Sequence, residues 1–268
     1  MLIDRLKRHG FQIEFRSHAE AILAVDFPST LLELDGALRS LAIPIDEIVG
    51  SGGGETKGTQ RLRRSLAQLG WNKGVFEIKK TINEQIFESQ THIIDHVKHF
   101  DAGTVVLEIE WNNKDPFFDR DLENFKRLHA EGAISVGIIV TRGSDMQEKM
   151  RDLVHRFAID RGLSEVAGLA ALGLNPTTRQ RNDYERRAQR AGASFAHAWA
   201  AGFVQDKYGA ATTRWQKLED RIRRGVGNPC PLLLIGLPAN IVTFHEPPEV
   251  VQKLLDEAIE DSNEEPQP

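Results

Sequence analysis

Three carboxylates in one short segment, Asp95, Glu108 and Glu110, are the side chains best placed to do chemistry. Residues 93–99 and 104–111 alternate like two strands of a β-hairpin. Centring the turn between them places Asp95 directly opposite Glu108, with Glu110 on the same face one step along. Cross-strand Cβ atoms lie about 5 Å apart, so these carboxylates repel one another unless a cation separates them. Oxygen ligands suit Mg²⁺, which also binds phosphates, so the segment predicts metal-assisted phosphodiester chemistry.

The commonest explanation of a Glu-x-Glu pair on a strand is the solvated face of a half-buried sheet. Here the surrounding run, VVLEIEW, is strongly apolar, and unpaired carboxylates are costly to bury. An Asp opposite them on the partner strand makes a coincidence less plausible. Asp101 is also near Glu108 in sequence, but it falls in the turn, where Asp is common for backbone reasons. We therefore take Asp95 as the partner.

Several segments carry a family resemblance that includes this hairpin. They are residues 94–98, 106–111, 132–138 and 227–236, with smaller matches at residues 18–20 and 70–71. In these segments the chain resembles the BglII/BstYI group of type II restriction endonucleases, which is related to BamHI. The resemblance implies an α/β fold with a restriction-endonuclease-like core, in which a mixed central sheet carries the catalytic β-hairpin and is flanked by helices.

The resemblance also implies an activity: Mg²⁺-dependent hydrolysis of phosphodiester bonds in double-stranded DNA, at a short palindromic site, by a homodimer. It implies that Asp95 and Glu108 hold the metal. Glu110 stands where the wider superfamily has Lys; a carboxylate at this position resembles BamHI, whereas BglII-like enzymes carry Gln. Glu110 could orient or deprotonate the attacking water. The identity of the general base is left open. Two other functions fit the same core: a non-specific or repair-type nuclease, and a catalytically idle DNA-binding module.

Four residues are predicted to contact DNA. Lys114 follows the second strand of the hairpin, where it and the neighbouring Arg120 could reach the DNA backbone. Arg142, Ser144 and Arg214 lie in segments that approach the major groove in related enzymes, and Arg can pair bidentately with guanine.

Composition and charge agree with a DNA-binding enzyme once the charge is located. The 268 residues carry a net charge of −5. Residues 246–268 hold eight acidic side chains and one Lys, so residues 1–245 are about +2. Basic side chains form three clusters, at residues 61–64, 179–190 and 214–224, which fit contacts to phosphates. The single Cys230 excludes an internal disulfide and a Cys-rich zinc site.

The chain has no apolar run of about 18 residues, so no membrane span is expected. A charged N-terminus without an apolar signal segment predicts a cytoplasmic protein. We predict an endonuclease domain over residues 1–245, with a helical insertion at about 155–205, and an acidic tail over 246–268. Within the domain, the pattern predicts strands at 75–82, 133–141 and 231–236, and helices at 59–69 and 122–130.

Overall fold

The central feature of the computed structural model, which describes residues 2–50 and 56–244, is a six-stranded mixed sheet. The strands in chain order are β1 (Gln12–Arg16), β2 (Ile43–Pro44), β3 (Asn72–Ile82), β4 (Gln85–Phe100), β5 (Gly103–Glu110), β6 (Val136–Arg142), β7 (Leu232–Leu237) and β8 (Val242–Thr243). The sheet order is β1-β7-β6-β5-β4-β3, while β2 and β8 pair separately. Strands β5, β6 and β7 are parallel, and the outer pairings are antiparallel. The predicted mixed sheet with its antiparallel hairpin is confirmed.

The helices account for most of the remaining chain. They are α1 (Leu2–Arg8), α2 (Ala19–Val25), α3 (Pro28–Arg39), α4 (Ile45–Val49), α5 (Lys57–Gln68), α6 (Phe117–Ala130), α7 (Ser144–Asp160), α8 (Val166–Ala171), α9 (Thr178–Ala191), α10 (Phe195–Lys207) and α11 (Trp215–Arg223). The described residues divide into two compact units. The first contains residues 2–40, 62–144 and 213–238, and the second contains residues 41–50, 56–61, 145–212 and 239–244.

The core of the first unit lies between the sheet and helices α6 and α11. Phe118, Leu122 and Phe125 of α6 pack against β5, β6 and β7, and each is fully buried. Burying one such side chain contributes about 1.5–3 kcal/mol. Gly137 lets α6 approach β6, because a Cβ there would lie 2.4 Å from the Phe125 ring. Helix α6 is therefore held directly against the strands that follow the hairpin.

The second unit is mainly helical and contains the region predicted as an insertion. Residues 155–205 run from the last turns of α7 into α10, and the segment around Pro176 separates α8 from α9. Helix α9 begins with a capping box, in which Thr177 and Gln180 satisfy each other's backbone N–H groups. The predicted acidic tail lies outside the described residues. Within the part of the chain described, no helix is long and apolar enough to cross a membrane.

Candidate active site

The β4–β5 hairpin has the register that places Asp95 beside Glu108. His96 pairs with Leu107 and Phe100 with Gly103, so the turn lies at residues 101 and 102. The next step beyond His96 and Leu107 brings Asp95 opposite Glu108. There the Asp95 backbone N–H donates to Glu108 Oε1 at 3.3 Å. The predicted hairpin and its turn therefore form as the alternation indicates.

A β-bulge lies at Asp95 itself. Asn72 of β3 pairs with Val97 and Gly74 pairs with Ile94, so β4 has one extra residue between these two pairs. Bulges bend a strand and re-aim its side chains, and they are common beside active sites. Gly74 is required here, because a Cβ at this position would lie 2.6 Å from Val97 Cγ2. Asp95 is exposed, whereas only 4% of Glu108 is exposed.

Two histidines of β4, His92 and His96, are buried beside the exposed Asp95. In a regular strand both would lie on the face opposite Asp95. The His92 ring contacts α6, where its Nδ1 lies 2.9 Å from Asn124 Oδ1. The His96 Nδ1 lies 3.1 Å from the Leu107 carbonyl oxygen, and burial lowers the pKa of His96. Both rings are buried structural groups.

Glu110 is buried at the end of β5 and is held from the loop that follows. Its Oε2 accepts a hydrogen bond of 2.8 Å from Asn113 Nδ2. Asn113 is itself fixed by Thr213, since the Thr213 N–H donates to the Asn113 carbonyl and the Asn113 N–H donates to Thr213 Oγ1. Only 2% of Glu110 is exposed. Its orientation is thus set by the segment that leads into α11.

Helix α6 adds a fourth carboxylate, Asp121, that the sequence reading missed. Asp121 is 1% exposed, and its Oδ1 accepts from Arg120 Nε at 2.8 Å. Its Oδ2 is buried and accepts no hydrogen bond among the described residues. The signal was present in the sequence. Asp121 lies three residues after Phe118 and four before Phe125, so it interrupts the apolar stripe by which α6 packs.

Three of these carboxylates, Glu108, Glu110 and Asp121, are buried and interact electrostatically with one another. Burial, followed by the charges of Asp121 and Asp95, raises the pKa of Glu108 well above its usual range. Burial and the charge of Asp121 raise the pKa of Glu110 to about 8. Burial also raises the pKa of Asp121. Each group is costly to ionise beside the others, so the cluster favours a bound proton or cation.

The donor set fits a hard divalent cation. Carboxylate oxygens are the ligands that Mg²⁺ prefers. Asp121 Oδ2 is buried and has no hydrogen-bond partner among the described residues, so it can bind a cation. Across residues 2–50 and 56–244, no three or more His, Cys, Asp or Glu side chains already converge as a metal cluster. Metal binding would therefore draw the side chains together and release protons from them.

Replacing Glu108 with Gln should stabilise the metal-free protein. Because the pKa of Glu108 is raised in the folded state, ionising it opposes folding as the pH rises above its usual value near 4.5. The amide oxygen of the introduced side chain can still accept from the Asp95 N–H, while the charge is gone. We expect a gain of about 1–2 kcal/mol at pH 8, as for other relieved active-site groups. Urea denaturation in EDTA measures it; the gain should shrink towards pH 5, and a less stable variant at pH 8 would contradict the crowding.

Comparison with known protein families shows the family to which the chain belongs. The model of the restriction endonuclease BglII/BglIII family matches residues 11–237, which include all six strands of the main sheet. The chain belongs to this family. Comparison with curated proteins gives no match. The protein is thus a type II restriction endonuclease, and its substrate is DNA.

Arg142 does not have the role we predicted for it. We expected this last residue of β6 to read bases in the DNA of a BglII-like enzyme, but its side chain is fully buried. Its Nε donates to the Trp111 carbonyl at 2.8 Å and its Nη2 to the Thr213 carbonyl at 2.7 Å. Arg142 therefore connects the loop after β5 to the segment before α11. Asn113 and Thr213 in these two segments hold Glu110.

Arg142→Ala should destabilise the fold without changing the DNA contacts of the folded endonuclease. The substitution leaves two buried carbonyl groups without donors, and each such buried group costs about 1–3 kcal/mol. Arg223→Ala is the control, because that side chain is 66% exposed and should change stability by less than about 0.5 kcal/mol. Chemical denaturation of both variants provides the comparison. An unchanged unfolding free energy for Arg142→Ala would contradict the structural role.

The other three predicted DNA contacts of this BglII-family protein are differently placed. Lys114 is exposed in the loop between β5 and α6. Ser144 begins α7, and its N–H donates to Gln12 Oε1 at 3.0 Å. Arg214 directly precedes α11, and its buried Nε has no hydrogen-bond partner among the described residues. Thr213 is hydrogen-bonded to Asn113, which in turn is hydrogen-bonded to Glu110. Arg214 is the next residue after Thr213 in the chain.

Several basic side chains of this protein form ion pairs with carboxylates of the same chain. Each predicted basic cluster contains at least one Arg in a short ion pair with a carboxylate. These pairs are Arg61–Glu47 at 2.7 Å, Arg187–Asp183 at 2.5 Å and Arg221–Asp119 at 2.9 Å. The three clusters are therefore partly structural, and the number of basic residues overstates the number of phosphate contacts.

Proposed function

We propose that this protein cuts both strands of double-stranded DNA at a short palindromic site, as a homodimer that requires Mg²⁺. The observation that carries the proposal is the set of carboxylates around the β4–β5 hairpin, in a chain that belongs to a family of restriction endonucleases. Buried carboxylates with raised pKa values are expected at a catalytic site rather than on a structural strand.

Asp95 and Glu108 are the proposed metal-holding pair. Asp95 is exposed at the bulge, where a phosphate can reach it, and Glu108 is buried behind it with its Oε1 on the Asp95 N–H. A bound Mg²⁺ would polarise the scissile phosphate and lower the pKa of the attacking water. The hairpin places the two residues opposite each other before DNA arrives, which reduces the cost of positioning them.

Glu110 is the proposed acceptor of the water proton, or the group that orients the water. It lies on β5 two residues after Glu108, and a carboxylate within reach of the water can act as a general base. Asn113 holds Oε2 of Glu110, so one carboxylate oxygen is fixed and the other is directed towards Arg120. Lys114 and Arg214 are proposed contacts to the DNA. Ser144 is proposed for base readout.

Digestion of a plasmid separates the possible functions. With Mg²⁺, a site-specific enzyme gives discrete fragments, a non-specific or repair-type nuclease gives a smear, and an idle binding module gives no cutting. Sequencing the fragment ends should show both strands cut at symmetric positions in one short palindrome. Ends in an asymmetric sequence, or cutting in EDTA, would contradict the proposal.

The homodimer is proposed on geometric grounds. One chain provides one cluster of carboxylates that can cut one strand. Two cuts on antiparallel strands therefore need a second copy related by a two-fold axis. Sedimentation of the protein with a duplex that contains the mapped site, in Ca²⁺, should give two chains per duplex. One chain per duplex together with cuts in both strands would show that the dimer is not the working form.

A further inference from the structure

Arg120 is a cation in contact with two carboxylates of this site, Asp121 and Glu110. Its Nη2 lies 2.7 Å from Asp121 Oδ1 and 3.6 Å from Glu110 Oε1. The two carboxylates are almost completely buried, with side-chain exposures of 1% and 3%, whereas the Arg120 side chain is 52% exposed. One end of the ion pair is therefore inside the protein and the other faces solvent.

The guanidinium group is held in one orientation. Nε and Nη2 both contact Asp121 Oδ1, and the guanidinium carbon lies 4.4 Å from the centre of the Phe117 ring. Among the described contacts, Nη1 is not used, so it is available to another acceptor. An arginine presents several donors in a fixed plane that matches phosphate oxygens. The group is thus oriented in advance for an anion that approaches from solvent.

We infer that Arg120 binds the scissile phosphate, and that Asp121 is the positioning residue that holds it there. This inference rests on the proposed function. A phosphate that approaches Asp95, Glu108 and Glu110 brings its negative charge to a cluster of acidic side chains, and further charge develops on its oxygens during hydrolysis. A fixed cation beside the carboxylates offsets both effects, and preorganised charge of this kind contributes strongly to catalysis.

A purely structural role for Arg120 is the alternative, in which it only compensates the buried charge of Asp121. The two roles differ in what Arg120 senses. A structural counter-ion is indifferent to the charge of the DNA, whereas a phosphate ligand responds to one phosphate group. Replacing that phosphate with a neutral methylphosphonate removes the charge while keeping the duplex. The comparison needs no metal, since binding can be measured in EDTA.

The experiment is a double-mutant cycle between the protein and the DNA. Binding of two duplexes with the mapped site, one natural and one with methylphosphonate at the scissile position, is measured in EDTA for wild type and Arg120→Ala. We expect methylphosphonate to weaken binding by the wild type about tenfold more than it weakens binding by Arg120→Ala. This difference corresponds to the loss of one charge-assisted contact. Equal ratios for the two proteins would overturn the inference. A protein that cuts no DNA would instead refute the proposed function.

Three variants keep the test informative if Arg120→Ala is unstable. Arg120→Lys retains the charge and should retain part of the coupling. Asp121→Asn frees Arg120 and should reduce the coupling and kcat more than it changes KM. Arg127→Ala is the matched control, because Arg127 lies two turns later on the same helix and donates to Gln90 Oε1. It should behave as wild type; a loss of coupling equal to that of Arg120→Ala would show that α6, and not Arg120, is responsible.

Discussion

Glu108→Gln is expected to abolish DNA cleavage while leaving binding to the cognate duplex largely intact. The substitution keeps the shape of the side chain and the hydrogen bond from the Asp95 N–H, but it removes the charge that a divalent cation requires. We expect the single-turnover rate to fall by about 10³-fold or more, which corresponds to about 4 kcal/mol in the barrier. Asp95→Ala should give a loss of the same order.

The control for this pair is Asp101→Asn. Asp101 is exposed in the turn between β4 and β5, close to Glu108 in sequence but outside the facing pair. It should cut at the wild-type rate. Full activity in Asp95→Ala together with an inactive Asp101→Asn would mean that the wrong aspartate has been assigned. Gel-shift binding in Ca²⁺ confirms that an inactive variant still recognises the DNA.

Glu110→Ala should be nearly inactive even though Asp95 and Glu108 remain. The change removes the carboxylate proposed to accept or orient the water proton, and general base catalysis contributes about 10²–10⁴-fold. It also leaves the Asn113 amide without its acceptor, so Glu110→Gln is the better-matched variant and should lose activity with little change in stability. Single-turnover cleavage of a duplex with one mapped site measures both. A wild-type rate in Glu110→Gln would reduce this position to a structural partner of Asn113.

Glu110→Lys distinguishes charge from position at the same site. The wider superfamily carries Lys here, so the variant restores the commoner residue. In this chain, however, the new ammonium group would be buried beside Arg120, whose Nη2 already lies 3.6 Å from Glu110 Oε1. Two cations there repel each other, and we expect the variant to be inactive. An active Glu110→Lys would show that the site tolerates the superfamily arrangement without rearrangement of Arg120.

Local patterns were sufficient to predict the hairpin but not its surroundings. Alternation and the turn residues set the register, because a slip of one residue would turn every apolar side chain to the wrong face. The bulge at Asp95 could not be predicted, since it depends on how β3 pairs with β4 and on Gly74 meeting Val97. Its effect is local, and the opposition of Asp95 and Glu108 survives it.

Residues that depend on long-range contacts were predicted poorly. Arg142 ends an apolar strand and was therefore expected to reach DNA. Its side chain is instead buried and donates to two backbone carbonyls that lie 31 and 71 residues away in the sequence. Asp121 was overlooked because helix α6 was expected to begin at residue 122, whereas it begins at Phe117. With the longer helix, Asp121 falls on the packed face. The second unit could be predicted only as helical, since its periodicity indicates no site.

The most direct test of the central claim is the cleavage rate of a single-site duplex as a function of Mg²⁺ concentration, for wild type and Glu108→Gln in parallel. The wild-type rate should be zero in EDTA and should rise to saturation with Mg²⁺, since Asp95 and Glu108 hold the cation that cleavage requires. Glu108→Gln should stay near zero across the same range. A wild-type rate that is independent of Mg²⁺, or a Glu108→Gln curve that overlays it, would contradict the assignment of this hairpin as the active site.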